Sequence, residues 1–248
     1  MINYHLKDEI GIIKLNRPDK RNALHPDLVK QMKEKLDEIR DDDRVKVLII
    51  TGEGKAFCAG ADISYLSELG DFSSIENEKD SENLAELFLM IYKFPKPTIA
   101  AVNGVAIAGG CGLASVCDLI VADENNSSFG YSEVKIGFIP AMVSIFILNR
   151  IGEGIARQLL LTGEIITGKR AYEVGFANYL SNNALNGAMN VASNILQNSA
   201  FSVKETKSMI NSIAGLSVED AVNYCIRLNA ISRSSEDFKF GLKSFLKK

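Results

Sequence analysis

The chain has 248 residues, of which 46% are hydrophobic and 24% are charged, and its formal net charge is −3. This composition supports a sizeable buried core and argues against disorder. Acidic and basic residues are intermixed, so neither nucleic acid nor a membrane is predicted as a partner, and we expect a small-molecule ligand.

Short apolar runs alternate with a helical pattern in the first part of the chain. Residues 10–16, 45–51 and 97–103 are rich in β-forming residues and are bounded by polar residues or glycine, so each predicts a buried strand. Residues 27–39 carry apolar side chains at helical spacing and follow Pro26, which a first helical turn tolerates. This order predicts an α/β fold with crossover connections.

Two later regions have different patterns. Residues 68–84 are polar and weakly patterned, which indicates either a mobile loop or lid, or a plain surface insertion. From about residue 182 onward, consecutive segments have helical patterns, and three of them open with serine near acids. We therefore divide the chain into a core, residues 1–181, and a helical region, residues 182–248, that packs on its own core or on a neighbouring subunit.

Several familiar catalytic and cofactor motifs are missing. GEGK at residues 52–55 resembles the end of a phosphate-binding loop, but Ile49 and Ala56 stand where that motif needs glycine and a hydroxyl residue. Neither a dinucleotide-binding glycine motif nor a serine-hydrolase elbow occurs. The two histidines, His5 and His25, lie far in sequence from every cysteine. No metal site and no Cys/His catalysis are predicted.

The cysteines indicate a reducing compartment. All four lie in apolar surroundings without a short pairing, at Cys58, Cys111, Cys117 and Cys225. The first residues lack the pattern of an export signal. We therefore expect a reduced, cytoplasmic protein.

Two strand-to-helix corners are rich in glycine and alanine. At the first, Ala59 and Gly60 precede a predicted helix start at Asp62, and at the second, Gly109 and Gly110 open a helix. Small residues let a ligand approach the backbone, and the first N–H groups of a helix have no internal partner. Two such donors aimed at one point would form an oxyanion hole. Alternatively, the glycines only permit tight packing of strand against helix.

Motifs spread along the chain carry a family resemblance. They are NRPDKRNAL (16–24), GKAFCAGADI (54–63), NGVAIAGGCGLA (103–114), CDL (117–119) and FGYSEVKIGFIP (129–140). Together they resemble the crotonase superfamily, the enoyl-CoA hydratase/isomerase family, over nearly the whole chain. The resemblance implies a spiral of ββα units, a C-terminal helical region for trimerisation, a homotrimer or homohexamer, and an acyl-CoA substrate with no further cofactor.

The resemblance also implies the catalytic residues. The amides of Ala59 and Gly109 match the two oxyanion donors of the family, and Glu133 matches a catalytic glutamate. Considered alone, a glutamate at a helix start is most often a capping or dipole partner. The best-known hydratases carry another glutamate where this chain has Gly112.

Substrate-binding residues are implied in the same way. Coenzyme A would meet Lys20, Arg21 and Ala23. The acyl thioester would lie along Ala59, Gly60, Ala61, Asp62, Gly109 and Gly110. Alternatively, Lys20 and Arg21 are charged loop residues that are exposed to solvent and bind nothing. A weaker match places Phe238 and Lys239 near the ligand of a neighbouring subunit.

The single glutamate leaves the reaction open. Hydration of a 2-enoyl thioester uses a water that two carboxylates hold most simply, whereas moving a double bond between the 3- and 2-positions needs one base. The wording around Glu133 resembles a branch that includes proteins similar to methylglutaconyl-CoA hydratases, which favours hydration, with Tyr131 or an acid of residues 68–82 as possible water ligands. Thioester hydrolysis, carbon–carbon cleavage and non-catalytic binding remain alternatives.

The wall of the acyl site is expected to be bulky and apolar. Its residues would be Met142, Val143, Ile145 and Phe146. They favour a short or branched acyl group, although core packing explains them equally well.

Overall fold

The structure is a computed structural model, and it describes residues 1–246, except for the side chains of residues 244 and 245. The strands within these residues are β1 (Ile2–Lys7), β2 (Ile10–Leu15), β3 (Val47–Gly52), β4 (Ala56–Cys58), β5 (Thr98–Val102), β6 (Val105–Ile107), β7 (Leu119–Asp123), β8 (Ser128–Gly130), β9 (Ile165–Thr167) and β10 (Tyr179–Ser181). The α-helices are α1 (Pro26–Arg40), α2 (Ile63–Leu69), α3 (Ser74–Tyr92), α4 (Gly109–Ser115), α5 (Ala141–Thr162), α6 (Gly168–Glu173), α7 (Ala184–Leu196), α8 (Ala200–Ile213), α9 (Val218–Ser234) and α10 (Glu236–Phe245). Short 3₁₀ helices span Pro18–Lys20 and Glu133–Ile136.

The strands form two sheets, with strand orders β1-β2-β3-β5-β7-β10 and β4-β6-β8-β9. Paired strands are parallel except at β1 with β2 and β8 with β9. Successive strands alternate between the sheets, since β3, β5 and β7 enter the larger one and β4, β6 and β8 the smaller one. Each such pair leads into helical structure, which confirms the predicted spiral of ββα units.

The strands predicted at residues 10–16, 45–51 and 97–103 and the helix predicted at residues 27–39 are confirmed. The expected strands correspond to β2, β3 and β5, and the expected helix to α1, which has proline in its first turn. Alternate residues of the larger sheet feed two hydrophobic clusters, because successive side chains of a strand point to opposite faces. Helices α1 and α3 cover one face, and α7 covers the other.

The loop predicted at residues 68–84 is wrong for most of its length, since α3 begins at Ser74. Its start is a capping box: Ser73 Oγ accepts from the N–H of Glu76 at 3.3 Å, and the Glu76 carboxylate accepts from the N–H of Ser73 at 2.8 Å. The first turns carry polar residues because the helix buries only its later part, at Leu87, Phe88 and Ile91. Polarity was therefore no sign of a loop.

The predicted helices after residue 182 are confirmed as α7–α10, and Ser199 caps α8. Helix α7 buries three alanines against the larger sheet, so it belongs to the packing of the core. Helix α8 is attached to the core by a salt bridge in which Nζ of Lys207 lies 2.7 Å from Asp118. Helix α9, by contrast, buries no residue against the described part of the chain. The division at residue 182 stays a prediction.

Among residues 1–246, we find no helix that is long and apolar enough to span a bilayer.

Candidate active site

Three predicted site segments meet at one edge of the smaller sheet. Strands β4, β6 and β8 are parallel neighbours, so their carboxyl ends lie side by side, with adjacent strands about 4.8 Å apart. The first glycine-alanine corner follows β4, the second follows β6, and Glu133 lies three residues after the end of β8. The repeat of the fold thus brings together segments that are far apart in sequence.

The two glycine-alanine corners touch each other through their backbones. A Cβ built on Gly60 would lie 3.0 Å from the carbonyl oxygen of Ile107, and Gly60 itself has a φ of +89°. A Cβ built on Gly110 would lie 2.7 Å from the carbonyl carbon of Cys58. Only glycine fits either position, because any side chain would push the corners apart. These glycines serve packing, and the same packing brings the corners together.

The structure corrects the role predicted for Ala59. Its N–H donates to the carbonyl oxygen of Arg21 at 3.0 Å. An amide that is already paired inside the protein is not a free donor for a ligand. The predicted oxyanion donor at Ala59 is therefore not supported.

The amide of Ala61 is the better-placed donor at this corner. The N–H of Leu24 donates to the carbonyl of Gly60 at 2.7 Å, and the N–H of Asp62 donates to the carbonyl of Leu24 at 2.9 Å. In this parallel pairing Leu24 lies opposite Ala61, whose own N–H points away from Leu24. This N–H has no backbone acceptor among residues 1–246.

Gly109 opens α4, as predicted. The preceding residue, Ala108, has a φ of +52° and donates its N–H to Gly130 at 2.8 Å. This left-handed conformation is unfavourable for alanine and typical of functional sites. The N–H of Gly109 has no acceptor within the described residues, since the helical bonds begin with Gly112 to Ala108 at 2.9 Å. The Leu24 side chain packs against Gly109, where an added Cβ would lie 2.9 Å from its Cδ1.

Glu133 is the first residue of a 3₁₀ helix and is only 7% exposed. Its Oε2 atom is buried and has no hydrogen-bond partner in the part of the chain that the structure describes. Burial raises the pKa of its carboxyl, because desolvation disfavours the charged form. The carboxyl also accepts a hydrogen bond from its own backbone N–H, which lowers its pKa by less than burial raises it. Within the described residues Oε2 is left without a partner and can meet a ligand.

The neighbourhood of Gly112 is apolar. A Cβ built there would overlap Cγ1 of Val143 and lie 3.0 Å from Cε2 of Phe88. Phe146 packs edge-on against Phe88, with ring centroids 6.2 Å apart. Of the residues predicted for an apolar wall, Val143 and Phe146 pack inward, whereas Ile145 is 58% exposed.

The predicted coenzyme A residues differ in exposure. Lys20 and Arg21 are exposed, whereas Ala23 is buried. Further along the chain, Phe238 is half-exposed, and Lys239 lies 2.6 Å from Glu236. The predicted binding roles stay predictions.

Asp62 has a contact that the sequence did not indicate. Its Oδ2 lies 2.7 Å from Nη2 of Arg17, and its Oδ1 accepts from the N–H of Ser64 at 3.0 Å. The carboxylate is thus engaged inside the protein, and the predicted place of Asp62 along the thioester stays a prediction. Arg17 lies two residues after the end of β2, and only its position in NRPD marked it in the sequence.

Neither potential metal ligands nor the groove described below indicates a second functional site in the described residues. No group of three or more His, Cys, Asp or Glu side chains within residues 1–246 is arranged to hold a metal ion. A groove of about 690 Å³ lies along α3 and excludes Glu133; its lining includes Arg40, Glu86, Leu89 and Lys93.

Comparisons with known proteins agree over almost the full chain. The family model described as enoyl-CoA hydratase/isomerase matches residues 5–248. A short-chain-enoyl-CoA hydratase of Clostridium acetobutylicum is 34% identical over 244 residues, covering 97% of this chain and 92% of that protein. A crotonyl-CoA hydratase of Syntrophomonas wolfei is 32% identical, covering 98% and 93%. The crystal structure of an enoyl-CoA hydratase from Shewanella pealeana matches with a TM-score of 0.93 at 29% identity, covering 99% of this chain and 93% of that one.

Proposed function

Because the chain belongs to the enoyl-CoA hydratase/isomerase family, we propose that it adds water to the double bond of a 2-enoyl-CoA thioester. The observation that carries this proposal is the buried carboxyl of Glu133, with Oε2 unpartnered among the described residues, beside two corners that present backbone N–H groups. Such a carboxyl can exchange a proton with a ligand whose carbonyl is held by those N–H groups.

The two N–H groups act on the thioester oxygen. We assign them to Ala61 and Gly109, in place of the predicted pair Ala59 and Gly109. Negative charge appears on that oxygen only as an enolate forms, so the hydrogen bonds strengthen in the transition state. Each donor lowers the barrier by about 3 kcal/mol, as in other oxyanion holes.

Glu133 moves the protons of the reaction. Its carboxylate takes a proton from a water molecule as the water oxygen bonds to the β-carbon, and the electron pair of the double bond moves toward the thioester. Glu133 then gives this proton to the α-carbon of the enolate, and its carboxyl returns to the ionised form. One water is consumed. Burial raises the pKa of Glu133, which makes its carboxylate a stronger base than that of an exposed glutamate.

Binding of coenzyme A is assigned to the exposed segment before α1. Lys20 and Arg21 carry positive charge at the surface, next to the corner that contains Ala61, and Ala23 is buried behind them. Cationic side chains suit the phosphates of coenzyme A. The thioester is assigned to the backbone along Gly60 and Gly110, where the absence of side chains lets the two corners pack together.

The surroundings of Gly112 favour a second candidate, the isomerisation of 3-enoyl to 2-enoyl thioesters. Val143 and Phe88 fill the space in front of Gly112, so that side of the site offers no second carboxylate. One base, Glu133, suffices to carry a proton between the α- and γ-carbons. The same apolar contacts, extended by Phe146, support a short or branched acyl group as the substrate.

Assembly is also part of the proposal. Apolar side chains of α9 and α10 are exposed, at Val218, Val222, Ile226, Phe238 and Leu242. Exposed apolar faces of this kind mark contacts between proteins. We propose a homotrimer or homohexamer, to be checked by sedimentation velocity. The four cysteines are free thiols, which supports a reducing, cytoplasmic location.

Isotope-labelled turnover tests the proposal. Purified protein is incubated with 2-enoyl and 3-enoyl CoA thioesters in heavy-isotope water, and the products are analysed by mass spectrometry. Hydration predicts a mass gain of one labelled water, whereas isomerisation predicts no added oxygen and deuterium at the α- or γ-carbon. Free coenzyme A, a shortened acyl chain or binding without turnover would each overturn the proposal.

A further inference from the structure

Arg17 lies where two segments of the proposed site meet. One Nη atom donates to the carbonyl of Ala23 at 2.7 Å, and the other lies 2.7 Å from the Asp62 carboxylate. Ala23 ends the segment proposed for coenzyme A, and Asp62 directly follows Ala61. A single guanidinium therefore joins the coenzyme A segment to the corner of the proposed oxyanion donor.

Burial and further hydrogen bonds stabilise the ion pair between Arg17 and Asp62. The side chains of Arg17 and Asp62 are only 14% and 4% exposed, so solvent screens their attraction weakly. The second carboxylate oxygen of Asp62 accepts from the backbone N–H of Ser64 at 3.0 Å and from its hydroxyl at 2.5 Å, which caps α2. These bonds hold the Asp62 pKa well below its usual range, so the carboxylate stays charged.

The backbone of Arg17 is held as firmly as its side chain. Its N–H donates to the Asn22 side chain at 2.9 Å, and its carbonyl accepts from the N–H of Asn22 at 2.9 Å. The amide of buried Asn22 in turn donates to the carbonyls of Glu53 and Ala56, at 2.9 and 2.8 Å. The guanidinium thus starts from a fixed point of the core, and its planar fork sets the direction of both contacts.

We infer that Arg17 and Asp62 are positioning residues, which hold the N–H of Ala61 in register with Gly109. The inference rests on the proposed function, because it assigns them the alignment of the proposed oxyanion hole. Neither side chain touches the substrate. Their contacts hold the backbone around Ala61 in two ways. The bond to Asp62 holds the residue that follows Ala61. The bond to Ala23 holds the neighbouring Leu24, which pairs with Ala61.

Truncated substrates separate this role from simple support of the coenzyme A segment. The variants Asp62→Asn and Arg17→Lys are compared with wild type on an enoyl-CoA and on the matching N-acetylcysteamine thioester, which lacks the nucleotide. Misalignment of about 1 Å lowers rates on the order of 100-fold, so we expect kcat to fall about 10- to 100-fold on both substrates. The KM for the truncated thioester should change less than kcat.

Two further measurements exclude general destabilisation. Each variant is assayed well below its thermal midpoint, and Arg17→Lys should recover more kcat than Arg17→Met because it keeps the charge. The matched control is Arg157→Lys, which alters an exposed pair with Glu153 at 2.6 Å and should leave kcat unchanged. Loss of rate with the CoA substrate alone, or kcat equal to wild type in both variants, would overturn the inference. A wild-type protein without turnover of any enoyl thioester would instead overturn the proposed function.

Discussion

Val143 occupies the space that a side chain at position 112 would need, since a Cβ built on Gly112 would overlap its Cγ1 atom and lie 3.0 Å from Cε2 of Phe88. Position 112 is where the best-known hydratases carry a second glutamate. In this protein, α5 and α3 close that position with apolar atoms. Apolar side chains thus fill the place at which a second carboxylate would stand.

This packing predicts the effect of Gly112→Ala on stability. Alanine gains about 0.5–1 kcal/mol of helix propensity, but overpacking costs about 1–3 kcal/mol, so we expect a net loss of up to about 2.5 kcal/mol in urea unfolding. Adding Val143→Ala should make the Gly112 substitution less costly. The control is Gly154→Ala, because a Cβ there meets no atom within 4 Å among the described residues. Equal effects of the two glycine substitutions would contradict the packing argument.

Glu133→Gln tests the proposed acid/base. General acid–base groups contribute about 10²- to 10⁴-fold, so kcat should fall by that factor while circular dichroism stays unchanged. The control is Glu124→Gln, which alters an exposed glutamate in the turn after β7. A Gln variant of Glu133 that keeps more than about a tenth of the wild-type kcat would exclude the role.

The raised pKa of Glu133 predicts a pH-dependent rate. Because burial favours the protonated carboxyl, the ionised base is lost on acidification at a higher pH than for an ordinary glutamate. The hydration kcat/KM should therefore fall as pH decreases through this raised pKa. This fall on acidification should be missing from the residual activity of Glu133→Gln. If the variant still shows the fall, another group causes it.

The ionisation of Glu133 should also make the free energy of unfolding depend on pH. Acidification should lower the rate but favour the contribution of Glu133 to stability. Folding favours protonated Glu133, so its contribution is complete below the unfolded pKa, about 4.3, and is lost as pH rises through the raised folded pKa. The Gln variant stays neutral. It should be more stable than wild type at about pH 8, by a margin that shrinks toward pH 4.3. Urea midpoints at both pH values measure this, and a margin that grows on acidification would reverse the sign.

Arg150 stabilises the carboxyl end of α4. Its Nη2 donates to the carbonyl of Ser115 at 3.2 Å and to that of Cys117, and its Nη1 donates to Asn178 at 3.3 Å. Arg150→Met removes the guanidinium from these carbonyls, while Asn178 keeps its bond from the N–H of Ile120, and should lower the free energy of unfolding by about 2–4 kcal/mol. Arg170→Met, at an exposed pair, should change it by less than about 1 kcal/mol. Similar losses in both variants would contradict the assigned role.

Three of the strands and most helices were predictable because they are local patterns. Apolar runs predicted β2, β3 and β5, and the spacing of apolar residues predicted α1. The start of α3 was missed because its polar turns obscured the capping box of Ser73 and Glu76. That helix is stabilised at its start by a local cap and only later by burial.

Residue identity alone determined that this chain has two glycine-alanine corners, a glutamate at position 133 and glycine at position 112. Tertiary structure decided which amide of the first corner is free. Arg21 pairs with the N–H of Ala59, while Leu24 pairs on either side of Ala61 and leaves its N–H pointing the other way. The direction of an amide depends on the strand beside it, and that neighbour comes from a distant part of the chain.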